Sequence, residues 1–161
     1  ATEYLIKSGR KKIACISGPI GRSHYDEETN PVVKARLDGY RDALKQNGIE
    51  ADERLLSHVI FFNQEEGARS MEILWKSGAQ FDAVFCAAGD AVAMGVLLQA
   101  RKFGISVPKE LAVMGFDDIS TAGLMNPALT TVRAPTEAVG RIERLLKRRD
   151  FHRRRERARR R

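Results

Sequence analysis

This sequence predicts an α/β fold, a doubly wound parallel sheet with helices on both faces, and three observations lead to it. Short apolar runs alternate with longer stretches of helical period along the chain, the pattern of β-α units joined by right-handed crossovers. The apolar runs are continuous instead of alternating, as in Ile13-Ala14-Cys15-Ile16 and Ala83-Val84-Phe85-Cys86-Ala87, which is how strands buried on both faces read. The runs also end abruptly, most plainly where Leu111-Ala112-Val113-Met114 stops at Gly115-Phe116-Asp117-Asp118. In open parallel sheets, ligands sit outside such carboxyl ends. With 161 residues, 43% of them hydrophobic, the chain is long and apolar enough for one domain with its own core.

The elements follow in order. Residues 1–9 read as the last turns of a helix stopped by Gly9, with no cap before them, so a longer protein is expected upstream. Residues 12–17 form a first strand. Residues 31–47 form a helix whose apolar positions Val33, Leu37, Tyr40 and Leu44 share one face and which Gly48 ends. A second strand covers 55–62. The helix 64–76 puts Met71, Leu74 and Trp75 on one face before Gly78, and Trp75 is expected in the core. A third strand covers 82–87, a helix 91–103 is closed by Gly104, and strands follow at 111–116 and 129–132. An amphipathic helix at 136–149 completes the series. No repeat or Ser/Gly/Pro-rich linker divides the chain.

The formal charge of +7 is misleading about the folded part. Residues 141–161 carry 12 Lys/Arg against 3 Asp/Glu, a net +9, which leaves residues 1–140 at −2. The body is mildly acidic, and the basicity belongs to a terminal segment that carries charge without forming a groove. Cys15 and Cys86 each lie within an apolar run, which gives neither a disulfide framework nor metal spacing and fits a reducing, cytoplasmic setting. There is no signal-peptide pattern, and no apolar run approaches the roughly 18 residues of a membrane span.

Chemistry collects at the strand ends. After the first strand comes Gly18-Pro19-Ile20-Gly21-Arg22, after the second Phe62-Asn63, after the third Gly89-Asp90, and after the fourth Asp117-Asp118. Carboxylates, a guanidinium, an amide and an aromatic face are what a small polyhydroxylated or heteroaromatic ligand requires. His24, His58 and His152 are scattered, and Ser17 and Cys15 lack a base, so neither a metal site nor a nucleophile is indicated. Gly18-Pro19-Ile20-Gly21 lacks the Gly-Lys-Ser/Thr ending of a phosphate loop.

Five segments, in order, resemble the effector-binding core of the lactose/galactose repressor family. They are Arg36-Leu37-Asp38-Gly39-Tyr40, Gly89-Asp90-Ala91-Val92-Ala93-Met94-Gly95, Ser106-Val107-Pro108-Lys109-Glu110-Leu111, Met114-Gly115-Phe116-Asp117-Asp118, and Asn126-Pro127-Ala128-Leu129-Thr130-Thr131-Val132-Arg133. Together they span roughly residues 1–145. The resemblance implies a periplasmic-binding-protein-like subdomain, residues 1–147, for effector binding and dimerisation. Residues 1–10 and 135–147 would pack on or near a missing N-terminal subdomain, leaving apolar surface to cover. Residues 148–161 form a basic tail that departs from the family. A frame change near the gene's end would produce such a run, and nonspecific contact with nucleic-acid phosphates is the alternative.

The resemblance also assigns residues. Arg36 matches the family arginine that reaches ligand oxygens, and Asp117 the first carboxylate of the Gly-aromatic-Asp-Asp motif, which accepts from the ligand. Phe62 lies where members place a stacking aromatic; it could equally close the core. Arg22 resembles a pocket arginine of the purine-binding branch. Asp90 matches the aspartate of an Asn-Asp motif whose asparagine is Gly89 here. Asp118 reads more simply as a cap for the segment beginning at Ile119. A dimer would use the 91–103 helix and the 119–125 segment, with Val92, Val96, Leu97 and Leu124 serving as core or as interface.

The expected function is therefore the ligand-sensing region of a bacterial transcriptional regulator. It would bind a sugar-like or purine-like effector, act as a homodimer, reach DNA only through a helix-turn-helix absent from this chain, and need no cofactor or membrane. The effector would shift the population between hinge angles. A solute-binding protein feeding a sugar transporter is the alternative with the same fold. An enzyme using Asp90, Asp117 and Asp118 as acids or Mg²⁺ ligands is disfavoured, because no nucleophile or lysine accompanies them.

Overall fold

The chain folds as α1 (Thr2–Lys7), β1 (Ile13–Ser17), α2 (Pro31–Gln46), β2 (Leu56–His58), α3 (Gln64–Lys76), β3 (Ala83–Cys86), α4 (Asp90–Lys102), β4 (Ala112–Asp117) and β5 (Thr130–Arg133). Single 3-10 turns lie at Glu53–Leu55 and Ala122–Leu124. The computed structural model describes residues 1–19 and 30–135. The expected helix at 136–149, the basic tail, and the segment with Arg22 and His24 lie outside them.

All strand pairs are parallel, in the order β2-β1-β3-β4-β5. From β1 the chain goes to one side to reach β2 and then to the other side of β1 for β3, so the order reverses between β1 and β3. That reversal opens a crevice at the carboxyl ends of these two strands. Strands β1 and β3 are buried throughout, in keeping with their unbroken apolar sequence.

Alternate strand residues feed two cores. Ile13, Cys15, Phe85 and Met114 pack with Leu5 of α1 and Leu37, Tyr40 and Leu44 of α2 on one face. Ala14, Ile16, Val84, Cys86 and Val113 pack with Met71 and Leu74 of α3 and Val92, Val96 and Ala100 of α4 on the other. The helix starts are set locally. Asn30 accepts from the N–H groups of Val32 and Val33 ahead of Pro31, and Asn63 accepts from Glu66 N–H at 2.9 Å, which satisfies amides that a helix leaves open.

Two expectations need correction. The second strand is only Leu56–His58, and Ile60, Phe61 and Phe62 beyond it are 42–64% exposed; the apolar run continues past the last residue that pairs with β1. Trp75 is half exposed and stacks on Phe103 with centroids 5.5 Å apart. It lies at the edge of the apolar stripe of α3, where the sheet no longer covers it.

Candidate functional site

Three elements converge on one guanidinium at the carboxyl edge of the sheet. Arg36, on the second turn of α2, donates through Nη1 to the carbonyl oxygen of Ala87 after β3, at 2.8 Å. Its Nη2 pairs with Asp117 Oδ1 at the end of β4, at 3.1 Å. The guanidinium carbon lies 3.8 Å from the centroid of the Phe116 ring, within range of a cation–π contact. Side-chain exposures of 21% for Arg36 and 38% for Asp117 leave both charges open to solvent on one side. A groove of about 630 Å³ runs from this point between α1 and α2, over Phe85 and Phe116.

Asp117 and Asp118 have φ values of 108° and 56°. Left-handed backbone at consecutive non-glycine residues is strained by roughly 1–3 kcal/mol per residue and persists only where the surroundings hold it. Here they do. Asp118 accepts from Arg133 Nε with a carboxylate oxygen, and its N–H donates to Thr131 Oγ1 at 3.3 Å. The ion pair favours the charged form of Arg133 further, chiefly through its hydrogen bond to Asp118. Asp118 therefore does not cap the following segment, because its carboxylate points across to β5 instead.

The capping falls to Asp90. Its carboxylate is 1% exposed; Oδ2 accepts from Ile119 N–H at 2.9 Å, and Oδ1 accepts from the Thr131 hydroxyl. An aspartate in the first turn of α4 also suits the helix dipole. Both oxygens are turned into the fold, and each accepts from a donor of the protein itself. A carboxylate so placed needs room: a Cβ on Gly115 would lie 2.1 Å from Asp90 Oδ1, and a Cβ on Gly89, itself at φ 117°, would lie 2.9 Å from Asp117 Oδ2. Sequence reading missed Thr131, Arg133 and Gly115. The glycine inside an apolar strand was the available signal, since it marks a close approach.

Phe62 is 42% exposed and crosses the end of β1, where a Cβ on Gly18 would stand 3.3 Å from its ring. The structure thus brings Arg36, Asp117 and Phe62 to the same edge of the sheet. Arg22 lies outside the described residues, and the Asn63 amide oxygen is occupied as the cap of α3. The three carboxylates of the metal alternative are each tied to a different partner. Among the described residues, no three His, Cys, Asp or Glu side chains are arranged to hold a metal ion, and no helix is long and apolar enough to cross a membrane.

Of the residues weighed for a dimer, Val92, Val96 and Leu97 are core, at 0–7% exposure, whereas Leu124 is 83% exposed. The outward side of α4 is marked by Leu98 instead, at 44%.

The chain matches the periplasmic binding protein-like domain family over residues 2–160, a match that runs into the basic tail. It is 36% identical over 146 residues to the HTH-type transcriptional repressor CytR of Escherichia coli, covering 91% of this chain and 40% of that protein. It is 38% identical over 141 residues to the HTH-type transcriptional regulator CelR of Thermobifida fusca, covering 88% of this chain and 38% of that one. The chain thus spans about two fifths of the length of these relatives. Among solved structures, a CelR–cellobiose complex superposes with a TM-score of 0.76 at 37% identity, over 88% of this chain and 40% of the other. The E. coli repressor AscG superposes at 0.75 and 31% identity, over 91% and 51%. With the switch-point arginine, the Gly-Phe-Asp-Asp strand end and this similarity together, the chain belongs to the periplasmic-binding-protein-like family, in the branch that forms the effector domains of the lactose/galactose (LacI) repressors.

Proposed function

We propose that this region senses a small polyhydroxylated effector for a transcriptional regulator, with Arg36 and Asp117 as its polar anchors and Phe62 as an apolar wall. The observation that carries the reading is the Arg36–Asp117 pair on Phe116 at the crevice where the strand order reverses. The guanidinium offers donors to hydroxyl oxygens, the carboxylate accepts from hydroxyl hydrogens, and both remain partly open to solvent. That combination recognises vicinal hydroxyls through charge-assisted hydrogen bonds. A sugar is favoured over a nucleobase, since a relative of this fold is known as a cellobiose complex and another relative is the ribose operon repressor of E. coli. Arg22 and Phe62 keep a purine-like ring as the second ligand class.

In this reading the effector bridges this subdomain to another, biases the hinge angle, and so changes how the paired DNA-binding heads of a cytoplasmic homodimer are spaced. The chain does no chemistry on its ligand. The solute-binding alternative shares the fold, but the relatives named above are regulators.

A thermal-shift screen with D-ribose, cellobiose, adenine and inorganic phosphate tests the proposal. Selective stabilisation by one of them, lost in Asp117→Ala and in Arg36→Ala while each variant keeps the wild-type fold, is the expected outcome. At a hundredfold excess over Kd, binding is worth about 2.7 kcal/mol, a shift of roughly 5–10 °C for a chain of this size. Equal stabilisation of wild type and Asp117→Ala would remove Asp117 from the site.

A further inference from the structure

We infer that Asp90, together with Thr131, is a positioning residue that holds the left-handed turn at Asp117 and Asp118 and thereby aims the Asp117 carboxylate, without meeting a ligand itself. The inference rests on the reading of Asp117 as a ligand group.

Four observations combine. The two amides that follow Asp117 are both held by this pair of side chains: Asp118 N–H by Thr131 Oγ1, and Ile119 N–H by Asp90 Oδ2. Thr131 donates in turn to Asp90 Oδ1, so its one hydroxyl accepts from the turn and donates to the carboxylate. The network joins the start of α4, the end of β4 and the edge strand β5, and its centre is buried, Asp90 being 1% exposed. Gly115 and Gly89 leave space for the two carboxylates that cross here, with hypothetical Cβ contacts of 2.1 and 2.9 Å. Two consecutive non-glycine residues with positive φ relax toward ordinary backbone unless they are held, and relaxation would rotate the Asp117 side chain away from Arg36. A residue that merely capped α4 would not be bonded to the amide of Ile119, 29 positions away.

The test uses Thr131→Val, which keeps the shape and removes the hydroxyl, with Asp90→Asn as a second variant and Thr131→Ser as the conservative control. Amide hydrogen exchange is measured at Asp118 and Ile119 and compared with that of β1. Affinity is measured for whichever of D-ribose, cellobiose, adenine or phosphate stabilises the wild type. The expected result is about tenfold faster exchange at both turn amides in Thr131→Val and Asp90→Asn, the scale of one lost hydrogen bond. Exchange in β1 is unchanged, and Thr131→Ser stays close to wild type. Affinity falls about tenfold in the same two variants and recovers in Thr131→Ser.

Unchanged exchange at Asp118 and Ile119 would overturn the inference. So would full affinity in a Thr131→Val protein whose turn amides exchange faster, because the turn would then be shown not to govern the site. A wild-type chain that binds none of the four probes overturns the effector reading instead, while the exchange measurement still decides whether Asp90 and Thr131 hold the turn.

Discussion

Cys15 and Cys86 sit on neighbouring strands but face opposite sides of the sheet, the first in the core under α1 and α2 and the second in the core under α3 and α4. Burial pushes the Cys15 thiol up to about 12 and lifts Cys86 well above its ordinary value. Both are therefore inert in the native protein, and a thiol reagent at pH 8 should find neither until guanidinium unfolds the chain and two equivalents react. The sign of the pH dependence follows from the raised values. Above about pH 9 the unfolded chain loses protons that the folded chain keeps, so stability is lost as pH rises from 9 toward 12. Thermal melts across that window check it, and a Cys15→Ala, Cys86→Ala double variant should lose less. At this scale the sequence was partly legible. Arg36 and Asp117 stand in motifs that name them, and the structure puts them 3.1 Å apart. The inward turn of Asp90 and the pairing of Asp118 with Arg133 were not legible, because they depend on positive φ at two non-glycine residues and on a threonine 41 positions beyond Asp90.

Helices α3 and α4 meet at backbone distance, and two glycines make that possible. A Cβ on Gly67 would lie 2.0 Å from the carbonyl oxygen of Val92, and one on Gly95 would lie 2.0 Å from that of Gln64. Neither carbonyl can move aside as a flexible side chain could, so each substitution must separate the helices and open the core around Met71, Val92 and Val96. Gly67→Ala and Gly95→Ala are each expected to cost about 3 kcal/mol, lowering Tm by roughly 10 °C. Gly39→Ala, in α2 with nothing within 4 Å of its added methyl, should instead raise Tm slightly through helix propensity. A single differential-melting experiment on the three variants separates close packing from propensity; equal effects at all three would refute the backbone-contact account. Helices α2, α3 and α4 were readable to within a residue, since caps such as Asn30, Asn63 and Gly78 are local signals. The overshoot beyond β2 came from Ile60-Phe61-Phe62, where hydrophobicity reads as strand although sheet pairing has already ended.

At the level of the whole molecule, the face carrying α3 and α4 shows large apolar side chains that the chain's own core does not use. Leu124 is 83% exposed on the 3-10 turn whose Ala122 packs into the α3/α4 core, and Leu98 is 44% exposed on α4. Apolar side chains grouped on one face mark association when the surrounding surface is polar, and residues 1–140 carry only a small net charge to oppose self-contact. The body is −2 and the terminal segment +9, so salt separates two modes of association. Association through these opposite charges would weaken once the Debye length falls to a few ångströms, whereas an apolar interface would persist. Light scattering behind size-exclusion in 0.5 M salt should therefore still show a dimer, and Leu124→Glu should move it toward monomer by at least about tenfold in dissociation constant, because a carboxylate would have to be desolvated at the contact. A chain that is monomeric in high salt but associated in low salt would assign self-association to the basic segment, and the α4 face would then be free for a different partner.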